Sequence, residues 1–287
     1  MIEILATGPL TTVQDDGRPG WAAVGVSRSG AADRASAALA NRLVGNERDA
    51  AVLEVTLGGL HLRVGSPTLL ALTGAACAAT VNGRGVAMTS PMHVPAGGVL
   101  RLGTPGTGLR TYVAVRGGIA VPAVLGSRAT DVLAGVGPPV VRVGDVLPVG
   151  TSSTPVPGVD HAPVREPERP VVLALVPGPR ADWFVGDVLA GLAAGAYTVG
   201  TASNRTALRL DGPALRRVHD RELPSEGLVP GAVQVPPDGR PVVFLRDHPV
   251  TGGYPVVAVV TAASLDRAAQ LRPGDEIRFR VGRTIGA

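Results

Sequence analysis

Residues 225–255 read SEGLVPGAVQVPPDGRPVVFLRDHPVTGGYP, and the two turns inside this stretch decide the fold class. Short β-branched runs flank Pro236-Pro237-Asp238-Gly239, and a second break follows at Thr251-Gly252-Gly253-Tyr254-Pro255. An Asp-Gly pair between apolar runs predicts a hairpin, because those residues reach positive φ easily. The turns also carry Glu226, Gln234, Asp238, Arg246, Asp247, His248, Thr251 and Tyr254. A hairpin needs Asp238 and Gly239 but not that density of hydrogen-bonding groups. Polar residues on the turns of a rigid β scaffold are a common way to build a site.

The same pattern runs through the chain. Apolar or alternating runs of strand length occur at 61–64, 69–74, 111–115, 171–176, 241–245, 256–260 and 277–281, separated by turns such as Asn82-Gly83 and Pro273-Gly274-Asp275. With 39 Gly and 26 Pro, the composition suits many short strands and tight turns rather than a helical bundle. Three helices are predicted: about 31–44 with Ser29 as cap, about 182–194 starting at Asp182, and about 264–271 starting at Ser264. At 287 residues the chain is long enough for two domains. Residues 151–170, TSSTPVPGVDHAPVREPERP, read as an exposed Pro-rich linker between domains at 1–150 and 171–287. Each domain ends in a Gly-Asp followed by an apolar run, at 144–150 and 274–282, which suggests an internal duplication.

Composition excludes several chemistries. All 27 basic residues are arginine. Without lysine there is no Schiff base, no Gly-Lys-Ser/Thr phosphate loop and no attachment point for biotin. No apolar run approaches the length of a membrane-spanning helix, and Met1-Ile2-Glu3-Ile4 does not open a signal peptide. The single cysteine, Cys77, cannot form an internal disulfide and fits a reducing cytoplasm. It reads as a small packed residue rather than a nucleophile. The formal charge is +4, but the arginines are scattered and aromatics are few, so no nucleic-acid face is expected. Five histidines without an i, i+4 pair, and no cysteine cluster, predict no metal site.

Three groups of residues remain as site candidates. Gln14, Asp15, Arg18, Ser29 and Asp33 lie early in the chain, with turn and helix-cap duty as the plain alternative. Gly126, Ser127, Arg128, Thr130 and Asp131 place an arginine fork among hydroxyls, which suits a carboxylate or phosphate or an internal ion pair. The third group is Asn204, Arg205, Glu226, Gln234, Asp238, Asp247, Thr251 and Tyr254. Here Gly252-Gly253 would let a ligand approach the backbone. An Asp247 that is merely solvated would tolerate Asp247→Asn within about 0.5 kcal/mol.

Eight segments together resemble the family of 5-oxoprolinase C subunits, also described as allophanate hydrolase subunit 2-like or biotin-dependent carboxyltransferase-like. They are GPLTTVQDDGRPG (8–20), SGAADRASAALANRLVGN (29–46), LEVTLGG (53–59), ALTGA (71–75), VRGGIAVPAVLGSRATD (115–131), GPRADWF (178–184), SNRTALRL (203–210) and the 225–255 stretch. The resemblance implies a mainly β chain of two cyclophilin-like β-barrel domains with a few short helices. It implies one component of an ATP-dependent 5-oxoprolinase, opening 5-oxoproline to glutamate. The implied partners are a B subunit of the kinase-inhibitor or allophanate hydrolase subunit 1 type and an A subunit of the lactam-utilisation type, with ATP used by the complex. Under it, Asp247, Asp238 and Tyr254 are the expected catalytic residues. Gln14, Asp15, Arg18, Ser127, Arg128, Arg205, Glu226, Gln234 and Thr251 are the expected substrate contacts, with no metal. Two other readings stay open: the carboxyltransferase of a urea carboxylase-like system with biotin on another protein, and a non-catalytic regulator that binds the B subunit.

Overall fold

The computed structural model describes residues 1–165, 168–219 and 221–282. The chain is mostly β, with three short α-helices, and forms two compact units. One unit is Met1–Arg18 with Ser29–Arg165, and the other is Pro19–Arg28 with Glu166–Ala287.

The first unit contains β1 (Ile2–Thr7), β2 (Leu10–Gln14), α1 (Arg34–Leu43), β3 (Val52–Thr56), β4 (Leu60–Val64) and β5 (Thr68–Gly74). It continues with β6 (Ala79–Val81), β7 (Arg84–Val86), β8 (Pro91–Val94), β9 (Val99–Leu102), β10 (Arg110–Val115) and β11 (Val146–Leu147). Its strands form a six-stranded sheet, β11-β1-β4-β9-β6-β7, and a five-stranded sheet, β2-β3-β10-β5-β8. Strand β10 is buried along its whole length, and strand alternation explains why. Val113 and Val115 join the large core with Leu53, Val55, Leu62 and Leu100. Tyr112 and Ala114 point the other way, into a second cluster with Ala37, Ala40 and Leu43 of α1. An apolar run without polar alternation is therefore what a strand covered on both faces requires.

Helix α1 starts later than the sequence suggested. Asp33 is its cap, its carboxylate accepting from the Ser36 amide, while Ser29 sits upstream with φ 52°. Residues 151–165 carry no helix or strand and none of them is buried, yet they are tied to the first unit. Ser152 Oγ donates to the Gly45 carbonyl at 3.0 Å, the Ala162 amide donates to the Thr89 carbonyl at 2.9 Å, and Val159 and Ala162 pack on the α1 cluster.

The second unit contains β12 (Val171–Pro177), α2 (Val188–Ala194), β13 (Ala196–Val199), β14 (Ala207–Asp211), β15 (Glu226–Gly227) and β16 (Ala232–Gln234). Then come β17 (Val242–Phe244), β18 (Thr251–Gly252), β19 (Val256–Val260), α3 (Ala262–Ala268) and β20 (Glu276–Val281). Seven strands close into a barrel in the order β12-β19-β16-β17-β14-β13-β20, filled by Leu173, Leu175, Val233, Val257, Ile277 and Phe279. The hairpin predicted at Asp238-Gly239 joins β16 to β17, with Gly239 at φ 77°.

Two helix boundaries depart from expectation. Ala181–Trp183 is a single 3-10 turn, and Gly186 at φ 71° breaks the chain before α2. Asp187 is the cap, accepting from the Leu189 and Ala190 amides at 3.1 and 2.9 Å. Helix α3 begins before Ser264, which leaves Ser264 Oγ to accept the Ala174 amide at 2.9 Å.

The repeated Gly-Asp pattern is one turn built twice. In each, the aspartate carboxylate accepts the amide of the arginine three residues before it, Arg142 for Asp145 and Arg272 for Asp275, both at 2.8 Å. The intervening glycines, Gly144 and Gly274, both have φ 90°. The strand after each turn lies beside the first strand of its own unit, antiparallel in the first and parallel in the second.

Candidate functional site

The structure brings Gln14, Asp15 and Arg18 of the first sequence group together with Ser127, Arg128 and Thr130 of the second, where β2 runs into the 15–18 turn and meets the 124–136 loop, while Asp33 caps α1. Asp15 is the organiser. Its carboxylate accepts from Ser127 Oγ at 2.6 Å, from the Arg128 amide at 2.6 Å and from the Gly17 amide at 2.8 Å. Its carbonyl accepts the Ala31 amide at 2.9 Å. A carboxylate taking several donors ties loops more strongly than neutral contacts do. Arg128 donates from Nε to the Val121 carbonyl at 2.7 Å, and Asp131 caps its own turn by accepting from the Leu133 and Ala134 amides.

Beneath this loop lie polar groups that the fold does not complete. Gln14 donates from Nε2 to Thr12 Oγ1 at 3.0 Å and to the Thr130 carbonyl at 2.9 Å. Arg18 donates from Nη2 to the Ala129 carbonyl. Gln14, Arg18 and Thr130 are 0%, 1% and 4% exposed. Gln14 Oε1, Thr130 Oγ1, and Nε and Nη1 of Arg18 find no hydrogen-bond partner among the described residues. Buried polar groups are nearly always paired, and these four unpaired atoms gather around one turn.

Sequence reasoning missed a buried network on the neighbouring strands. Tyr112 donates to Glu54 Oε2 at 2.8 Å and accepts the Asp33 amide at 2.8 Å, while Glu54 also accepts the Ala32 amide at 2.8 Å. Arg110 Nε lies 3.4 Å from Glu54 Oε1. Burial, followed by the nearby Glu54 and Asp33 charges, pushes the Tyr112 hydroxyl well above its ordinary pKa, so it stays a donor. The available signal was a glutamate inside the apolar run Val52–Thr56, directly opposite Tyr112 in the ladder.

The third group lies in the second unit, and the structure divides it. Arg205 and Asp247 form a buried two-point pair, Nε to Oδ2 at 2.9 Å and Nη2 to Oδ1 at 3.1 Å. Asp247 is thus not a solvated carboxylate at a strand end. Asp238 closes its hairpin turn by accepting the Arg240 amide. Asn204 does the same for the Thr206 and Ala207 amides. Glu226 pairs with Arg180, and that guanidinium holds its carboxyl below the usual range. Strands β15 and β18 bring Glu226 opposite Gly252 and Gly227 opposite Thr251. The space at Gly252 is already filled: an added Cβ would lie 2.7 Å from Gln234 Nε2, which donates to the Tyr254 carbonyl. Thr251 and the half-exposed Tyr254 remain open to solvent.

Among the described residues, no three metal-type ligands gather, and no helix is long and apolar enough to cross a membrane. Cys77 packs at the edge of the first unit's core, and burial raises its thiol pKa.

Residues 24–281 match the family described as carboxyltransferase domain, subdomain A and B. The 5-oxoprolinase C subunit of Escherichia coli K12 is 38% identical over 97% of this chain and 90% of its own length. The urea amidolyase of Lachancea kluyveri is 33% identical over 96% of this chain but only 17% of its own. The crystal structure of the Kluyveromyces lactis urea amidolyase superposes with a TM-score of 0.89 at 32% identity, over 97% of this chain and 18% of that one.

Proposed function

We propose that this chain, which belongs to the carboxyltransferase family of subdomains A and B, is the C subunit of an ATP-dependent 5-oxoprolinase. One observation carries the reading: the C-subunit relative is matched over nearly the whole length of both chains, whereas the urea amidolyases are matched over about a sixth of theirs. In this reading the chain works with a B subunit of the allophanate hydrolase subunit 1 type and an A subunit of the lactam-utilisation type. A lactam carbonyl is a poor electrophile. Transfer of the ATP γ-phosphoryl group to its oxygen makes the ring carbon open to water, giving glutamate, ADP and phosphate.

The roles follow what each residue has left to offer. Asp15, through Ser127 and the Arg128 amide, positions the 127–131 loop. Asp247 positions Arg205 rather than meeting the reactants directly. Thr251 and Tyr254, open to solvent, are the groups in the 225–255 stretch to which we assign contact with a reactant.

The fold similarity to a urea amidolyase favours a second reading, carboxyl transfer, with biotin borne by another protein because this chain has no lysine. One experiment separates the two. Reconstituted with its A and B partners, the chain should release glutamate from 5-oxoproline only with ATP. No glutamate, together with carboxylation of urea by an added biotinylated carrier system, would replace the first reading with the second.

A further inference from the structure

We propose that the first unit carries a second ligand site, at the β8 edge of its five-stranded sheet, which takes a small carboxylic acid with a compact apolar body and holds it through Arg116 and His93. The inference goes beyond the 5-oxoprolinase reading and does not depend on it.

Four segments meet at this edge. Thr68 and Leu69 begin β5 and stand opposite Val94 and His93 at the end of β8. Arg116 follows β10, and its amide donates to the Leu69 carbonyl at 2.9 Å. Its side chain ties in the segment after residue 150: Nη1 donates to the Val44 carbonyl at 2.8 Å, and Nη2 donates to the Thr154 carbonyl. Gly45, at φ 67°, makes room for both, since an added Cβ would lie 2.7 Å from Arg116 Nη1 and 2.8 Å from the Pro155 carbonyl oxygen.

Between these segments lies a pocket of about 400 Å³, a volume found among small-molecule sites. Pro67, Leu69, Val94, Pro95 and Val156 give it apolar walls, and Thr68, His93 and Arg116 complete the lining. The cation thus lines the space itself. Pro67, His93, Pro95 and Val156 are exposed, so the space opens to solvent. Arg116 is half-buried and meets only neutral carbonyls; among the described residues no carboxylate pairs with it, and the His93 ring makes no hydrogen bond.

The complement is one negative charge on an apolar body. A carboxylate would take charge-assisted hydrogen bonds from the guanidinium N–H groups left over, and from His93. A neutral apolar compound would leave the charge unmatched, and a polyphosphate would set several negative charges against one arginine. The sheet order β2-β3-β10-β5-β8 puts this edge four strand spacings, about 19 Å, from β2 and the Asp15 turn. The two places are therefore separate.

Benzoate is the probe, with benzyl alcohol as its uncharged counterpart, titrated into the full chain and followed by backbone amide NMR. Benzoate should shift the Thr68, Leu69, Val94 and Val156 amides saturably, with a dissociation constant of about 1 mM. Benzyl alcohol should bind at least about tenfold more weakly. Arg116→Met should remove that preference, but it also gives up the two carbonyl contacts, so variants at Val156, which is 51% exposed, carry the test independently. Val156→Glu sets a competing carboxylate on the wall and should abolish the benzoate shifts at Thr68, Leu69 and Val94, while Val156→Gln should keep them. No saturable shift with benzoate, equal affinity for the two compounds, or unchanged benzoate binding in Val156→Glu would each overturn the proposal.

Discussion

Arg205 grips both carboxylate oxygens of Asp247 while the two side chains stand 1% and 0% exposed. A pair in that position is held by mutual need. Each charge offsets the other in the interior, and removing one partner of such a pair costs about 3–5 kcal/mol.

Asp247→Asn should therefore lower stability by about 3–5 kcal/mol, not by the small amount expected of a solvated carboxylate. Chemical denaturation measures it. The double variant Arg205→Met/Asp247→Leu should recover much of the loss, and strictly additive losses would show that the two residues do not act as a pair.

Tyr112→Phe should cost about 1–3 kcal/mol, because it removes from a buried site the hydroxyl that donates to Glu54 Oε2 and accepts the Asp33 amide, leaving Glu54 Oε2 with the Ala32 amide. The loss should appear first at the start of α1. Hydrogen exchange should show faster amides at Ala32 and Asp33 than in the wild type.

Asp15→Ala removes the acceptor that ties Ser127 Oγ, the Arg128 amide and the Gly17 amide. A loss of about 2–4 kcal/mol is expected, with new protease cuts between 124 and 136. Limited proteolysis of the wild type checks a related point. Residues 151–162 should resist cleavage, since hydrogen bonds and apolar contacts hold them on the first unit.

Arg180 lowers the Glu226 carboxyl pKa in the folded chain relative to the ordinary 4.5. The pair's contribution is therefore complete above that value and is lost as pH falls through the lower folded value. Glu226→Gln should flatten the acid limb of the stability curve there and leave stability near neutrality little changed, since both groups face solvent. An acid limb identical in both proteins would rule the pair out as its source.

Burial of the Cys77 thiol, only partly offset by a contact with Thr111, raises its pKa from 9.0. The thiolate fraction at neutral pH is correspondingly small. Iodoacetamide should modify Cys77 more slowly than a free thiol, with the rate rising through a pH above 9.0.

Much of this fold is written locally. The β-branched runs at 171–176 and 256–260, the Asp-Gly hairpin and the paired Gly-Asp turns are each decided by neighbours in sequence. Helix starts were less legible: the second helix was expected to start at Asp182, but Gly186 breaks the chain at positive φ and Asp187 is the cap. The first-unit site was legible as a set of residues but not as a place. Gln14 and Thr130 are 116 residues apart, and only the meeting of β2 with the 124–136 loop makes them neighbours. That Asp247 is sealed by Arg205 depends likewise on a contact 42 residues long, which no local pattern records.

The barrel of the second unit closes through β20, which lies between β12 and β13 and pairs with Val171–Leu175 in parallel register. The seam of the barrel is thus its last strand in chain order. A growing chain leaving the ribosome can assemble the first unit early, but β12 must wait, one edge open, until residues 277–281 emerge about a hundred residues later. An apolar strand held open that long invites pairing with another nascent chain. Until then the strength of the finished core offers β12 no protection, and only shielding of that edge does.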